Sequence, residues 1–130
     1  MNDQMSNNET ETLLIVDDSR VSRMMISGRV QAAHPHWKVV EAASAEEALA
    51  MVAAHAPQYI SMDVNMPGQS GFEAVEQIRK AGSQARIVIL TANIQQGSRD
   101  RATELGACFV QKPATETAVQ RMLAYFNGET

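Results

Sequence analysis

Five side chains capable of polar chemistry sit at the ends of apolar runs in this chain. Asp17 and Asp18 follow Leu13-Leu14-Ile15-Val16, and Asp63 closes the run that begins at Tyr59. Thr91 closes Ile87-Val88-Ile89-Leu90, and Lys112 follows Val110-Gln111. Each residue alone has an ordinary reading; Asp18-Ser19, for instance, is a good helix start. Their recurrence at four run ends points instead to one built site. Three carboxylates and one ammonium sum to −2, and carboxylates a few Å apart repel by about 4 kcal/mol per pair at an effective dielectric near 20.

A divalent cation would neutralise such a cluster. Oxygen ligands without cysteine or histidine favour a hard ion, Mg²⁺ or Mn²⁺, over Zn²⁺. Mg²⁺ keeps waters and bridges carboxylate to phosphoryl oxygens. A lysine and a hydroxyl alongside are what a phosphoryl group needs for charge neutralisation and a hydrogen bond. One of the carboxylates could then be a nucleophile, because an aspartyl group can take up phosphoryl covalently.

These residues need a scaffold that brings run ends together. Strand-like runs cover Thr12–Asp17, Trp37–Ala42, Gln58–Asp63, Arg86–Thr91 and Ala107–Gln111. Between them apolar residues recur at helical spacing: Val21, Met24, Met25 and Gly28; Ala45, Ala48, Leu49 and Val52; Phe72, Val75 and Ile78; Val119, Met122, Leu123 and Phe126. Ser44 and Glu47 have capping-box spacing. Met24, Met25, Met51, Met62 and Met122 read as core filler on these stripes. Gln95 to Arg101 is polar and contains Gly97, so the fourth helix is expected to be the least stable. Alternating strands and helices with short connections imply parallel pairing. The predicted fold is an α/β, doubly wound, five-stranded parallel sheet with five helices, and Trp37–Ala42, which carries charges, suits an edge. Ligands bind such sheets outside the carboxyl ends of the strands, where all five polar residues fall.

The chain's 130 residues are one domain's worth. Residues 1–11 read as a flexible polar tail and residues 12–127 as the folded domain. The net charge is −4, and −1 once Asp3, Glu9 and Glu11 of the tail are set aside, so no basic surplus marks nucleic acid as a partner. No apolar run approaches the ~20 residues that cross a bilayer, and no signal peptide opens the chain; a cytoplasmic protein without membrane insertion is expected. Cys108 is the only cysteine, which excludes an internal disulfide, and with three scattered histidines it makes no structural zinc site.

In order and spacing, Asp17-Asp18, Asp63 (in SMDVNMPGQSG), Thr91 and Lys112-Pro113 resemble the CheY-like receiver domains of bacterial two-component response regulators, which have a flavodoxin-like fold. The resemblance runs from Thr12 to about Phe126. It implies that Asp63 accepts phosphoryl from a histidine kinase or histidine phosphotransferase. It further implies that Mg²⁺ is held by Asp18, Asp63 and the backbone carbonyl of Asn65, with Asp17 acting through water and Mn²⁺ able to substitute. Thr91 and Lys112 would contact the phosphoryl oxygens, and Lys112-Pro113 would be a cis peptide. Thr91 and Phe109 would form the switch, with Asn65 and Asn93 tuning hydrolysis. The protein would catalyse only its own phosphorylation and dephosphorylation.

The chain departs from the pattern at two places. Phe109 stands where tyrosine is common, and Ala114 with a polar Thr115-Glu116-Thr117 follows Pro113. The second departure argues against the usual dimer through the fourth helix, fifth strand and fifth helix, so a monomer is expected. The chain ends four residues after Phe126, so the expected reader of the switch is a separate protein bound on that surface. An alternative within the family is an intermediate carrier in a phosphorelay. Outside it, a small aspartyl-phosphate phosphatase would want Asp-x-Asp after the first strand, and a nucleotide or flavin binder would want a glycine-rich phosphate loop there; Asp18-Ser19-Arg20 offers neither.

Overall fold

A computed structural model describes residues 11–92 and 96–129. Its elements are β1 (Thr12–Val16), α1 (Arg20–Ala33), β2 (Lys38–Ala42), α2 (Ala45–His55), β3 (Tyr59–Asp63), α3 (Gly71–Lys80), β4 (Arg86–Thr91), α4 (Gln96–Glu104), β5 (Cys108–Gln111) and α5 (Glu116–Phe126). The strands form one parallel sheet in the order β2-β1-β3-β4-β5. This is the expected doubly wound arrangement.

Burial follows from that order. β1 and β3 are buried along their whole length, and β4 is buried after Arg86, because each has a strand on both sides and helices on both faces. β2 and β5 are the edges and are only partly covered. One face packs Leu14, Ile60 and Ile89 against Ala48 of α2, Val75 and Ile78 of α3 and Ala102 of α4. The other packs Leu13, Val88 and Leu90 against Ile26 and Val30 of α1 and Val119, Met122 and Phe126 of α5. Each fully buried aliphatic side chain contributes about 1.5–3 kcal/mol.

Side-chain caps begin four helices. Ser19 Oγ accepts from the Ser22 N–H at 3.2 Å, and Thr115 Oγ1 from the Ala118 N–H at 3.1 Å. Ser44 Oγ accepts from the Glu47 N–H at 3.1 Å, but the Glu47 carboxylate reaches past the cap to the Ala43 N–H, 2.8 Å away. The complete reciprocal box is Ser70 with Glu73, at the start of α3.

The apolar stripe expected of α1 is wrong. Val21, Met24 and Met25 are 65%, 60% and 42% exposed, and Gly28 is exposed with them. The helix buries Ile26 and Val30 instead. Its sequence carries two apolar stripes, and periodicity alone does not rank them; the packing against β1 and α5 decides. Met24 and Met25 are therefore not core, whereas Met62 and Met122 are, and Met51 packs half-buried against it. Glu11, placed in the tail by composition, is tied to the fold: its carbonyl accepts from the Lys38 N–H at 2.8 Å and its carboxylate from the Tyr59 hydroxyl at 2.9 Å. The rest of the tail, residues 1–10, lies outside the described residues.

Candidate functional site

Strand order reverses between β1 and β3, which leaves a crevice at their carboxyl ends. Asp17 follows β1 directly and Asp63 ends β3. Their oxygens, with one of Asp18, lie within 4.8 Å of one another. Asp17 and Asp63 are 1% and 4% exposed, Asp18 is at the surface, and Thr91 is fully buried at the end of β4. Lys112 comes in from β5, its Nζ 2.9 Å from Asp17 Oδ2 and 3.6 Å from Asp63 Oδ1. The predicted cluster is thus assembled in one place, and the Lys112-Pro113 bond is cis.

Backbone groups fix the carboxylates. Asp17 Oδ1 accepts from the Ser19 N–H at 2.9 Å, and Asp63 Oδ1 from the Asn65 N–H at 3.3 Å. Asp17 Oδ2 is buried, and its close neighbour is the Lys112 ammonium at 2.9 Å. Burial pushes the Asp63 carboxyl up from 3.8 to about 6; the Asp17 charge adds to the rise, and Lys112 with the Asn65 N–H only partly opposes it. Burial also works to lower the Lys112 pKa, but the two carboxylates outweigh it and hold the ammonium above its usual value. One lysine therefore leaves the cluster with unneutralised negative charge. Three carboxylates within 4.8 Å of one another, an acid pushed upward and an all-oxygen donor set together fit a hard divalent cation.

Two residues that shape the site escape sequence reasoning. Arg23 of α1 donates from Nη1 to the Asp17 carbonyl at 2.6 Å, while its Nε pairs with Glu41 of β2 at 2.8 Å. The guanidinium braces the turn that carries both acids, a contact across strands with no local sequence signature. Gly71 is buried where α3 starts, its N–H on the Val64 carbonyl at 3.1 Å. Any Cβ at this position would collide with the Asp63 carbonyl. Here a signal existed: Ser70 and Glu73 have capping-box spacing, which puts Gly71 at the first helical position.

Phe109 is half-buried on β5, opposite Ile89 of β4. Thr91 is the next residue on that face of β4, so the two proposed switch residues share one side of the sheet. Asn65 is exposed at the mouth; Asn93 and Gln95 lie outside the described residues. Cys108 is half-buried, and burial raises its thiol pKa, which keeps it protonated. Among the described residues no helix is long and apolar enough to cross a membrane.

Comparison with known proteins places this geometry. A family model described as the response regulator receiver domain matches residues 13–124. The chain is 34% identical over 102 residues to the chemotaxis protein CheY of Bacillus subtilis (strain 168), covering 78% of this chain and 84% of that protein. It is 35% identical over 107 residues to protein-glutamate methylesterase/protein-glutamine glutaminase 2 of Anaeromyxobacter dehalogenans (strain 2CP-C), covering 82% of this chain but only 31% of that larger protein. Among solved structures, the chemotaxis protein CheY4 of Vibrio cholerae matches with a TM-score of 0.81 at 30% identity, covering 90% of this chain and 98% of that one. With the acid cluster, the hydroxyl and the lysine on the matched strand ends, the chain belongs to the response regulator receiver domain family.

Proposed function

We propose that Asp63 accepts a phosphoryl group from a phosphohistidine on a kinase or phosphotransferase, and that the phosphorylated state binds a separate protein through α4, β5 and α5. The observation that carries this reading is the placement of Lys112 Nζ between Asp17 and Asp63. An ammonium 3.6 Å from the acceptor oxygen can pair with a phosphoryl oxygen once that oxygen arrives.

In the transfer, an Asp63 carboxylate oxygen forms the new bond to phosphorus. The phosphorus–nitrogen bond of the donor breaks in line, and the imidazole leaves with its electron pair. Asp18 and Asp63, with the Asn65 carbonyl, would hold Mg²⁺, and Asp17 would act through water. The bound ion supplies positive charge that offsets the repulsion between the acid cluster and an anionic donor. Lys112 neutralises one phosphoryl oxygen, and Thr91 donates its hydroxyl to another. Thr91 moving toward the phosphoryl group opens space on its face of the sheet, into which the Phe109 ring turns. That rotation changes the surface between α4 and β5. The chain catalyses only its own phosphorylation and dephosphorylation, in the cytoplasm.

The test is co-binding. Mg²⁺ and beryllofluoride should bind together at one equivalent, with no measurable affinity for ATP or flavin mononucleotide. Flavin or nucleotide binding without beryllofluoride binding would replace this reading with that of a nucleotide-binding domain.

A further inference from the structure

Helix α4 has little hydrophobic anchorage: Ala102 is its one buried residue. Guanidinium groups attach it instead. At its carboxyl end, Arg79 of α3 donates to the carbonyls of Leu105 at 3.2 Å and Gly106 at 3.1 Å. The same side chain also donates to the carbonyls of Ser83 at 3.3 Å and Ala85 at 2.7 Å. Midway, Arg101 lies 5.3 Å from the centre of the Phe72 ring and 3.7 Å from Glu76 Oε2. Nearer the amino end, the Arg99 guanidinium carbon stands 5.1 Å from the centre of the Phe109 ring. The helix is thus clamped firmly at one end and held at the other by a cation over an aromatic face.

We propose that Arg99 is a latch: its guanidinium holds the Phe109 ring in the resting, half-exposed position and biases the domain against its activated state. The proposal rests on the reading above, in which Phe109 turns inward after phosphorylation of Asp63. Phenylalanine has no hydroxyl with which to bond in either position, so the polar grip on this ring comes through its face. Arg99 is itself exposed and the ring half-buried, so a ring that turns inward would leave the guanidinium behind. A cation–aromatic contact at an exposed site biases a two-state equilibrium by about two- to fivefold. Linkage then requires that ligands selective for the activated state bind more weakly by up to that factor while the latch is intact.

The experiment measures beryllofluoride affinity at saturating Mg²⁺ in the full chain. Arg99→Gln should raise the apparent affinity about two- to fivefold, with Arg99→Lys between it and the wild type. Simple loss of a positive charge would weaken binding of this anion, the opposite direction. A double-mutant cycle isolates the contact: in a Phe109→Leu background, Arg99→Gln should change nothing. An unchanged affinity in Arg99→Gln, or an equal gain in the Phe109→Leu background, would overturn the latch and leave the phosphoryl-acceptor reading standing. Failure of the wild type to bind beryllofluoride at all would remove both.

Discussion

Lys112 Nζ lies closer to Asp17 than to Asp63, at 2.9 Å against 3.6 Å. The acid pair thus competes for the cation that the incoming phosphoryl group would use. Without metal, the ammonium is shared among buried charges and satisfies none completely. A bound divalent cation would relieve the competition by giving the carboxylates a second positive charge, which would leave Lys112 free to meet the phosphoryl oxygens. Lys112→Ala is therefore expected to leave Mg²⁺ affinity intact or tighter but to slow phosphorylation at least tenfold. Metal titration alongside acetyl phosphate kinetics checks both halves.

The raised Asp63 pKa predicts a pH dependence in the metal-free protein. Its folded value, about 6, is above the ordinary 3.8. Below the ordinary value the proton is bound in both folded and unfolded states. Between the two values only the folded chain keeps it, so stability falls as pH rises through this window; above about 6 the ionised carboxylate destabilises the fold by a constant amount. Asp63→Asn should remove this part of the slope and stabilise the metal-free protein at pH 7 by about 1–3 kcal/mol. Urea unfolding in EDTA from pH 4 to pH 7.5 measures it; identical stability of the two proteins at pH 7 would contradict the desolvation argument.

Gly71 gives a packing prediction. Gly71→Ala forces a methyl group into the Asp63 carbonyl, so either α3 or the acceptor must shift. We expect a loss of about 1–3 kcal/mol in stability and a marked loss of phosphorylation. Gly97→Ala is the control: a Cβ there meets open space, and the substitution should stabilise the protein by up to about 1 kcal/mol. Equal effects in the two variants would show that close approach at Gly71 is not the cause.

How much of this was legible in the sequence depends on the range of the contact. Leu13–Val16 and Ile87–Leu90 are apolar on both faces, and this marks interior strands of a covered parallel sheet. Once the strands are known, the residues at their ends identify the site, because parallel order sends every carboxyl end to the same side. The orientation of α1 was not legible, since Val21-Met24-Met25 and Ile26-Val30 make competing stripes and only the neighbours on the sheet choose between them. Arg23 was hidden for a related reason: its partners are the Asp17 carbonyl and Glu41, six and eighteen residues away. Gly71 was half-visible through Ser70 and Glu73, but the collision it avoids is with a strand end eight residues earlier.

Thr91 should carry the signal without being needed for the chemistry. Thr91→Ala is expected to leave Asp63 able to accept phosphoryl but to weaken coupling between phosphorylation and partner binding. A full coupling of about 1–3 kcal/mol, or 5- to 150-fold in affinity, is usual for such switches. Partner affinity with and without beryllofluoride, in both proteins, measures it; equal coupling would remove the hydroxyl from the relay.

Asn65 stands exposed beside the acceptor, and Asn93 is two residues past Thr91. Both are neutral groups able to orient water, so the phosphorylated protein should hydrolyse itself over seconds to minutes. Asn65→Lys and Asn93→Arg should each change that rate several-fold. A decay rate indifferent to both substitutions would exclude them from the water's path.

Asp63 is the proposed phosphoryl acceptor and is expected to need a divalent cation to act. Intact-mass spectrometry after incubation with acetyl phosphate tests it directly, in Mg²⁺ and in excess EDTA, for the wild type and Asp63→Asn. The account predicts addition of one phosphoryl group to the wild type in Mg²⁺ alone, lost from Asp63→Asn and lost in EDTA. Full phosphorylation in EDTA, or of Asp63→Asn in Mg²⁺, would contradict it.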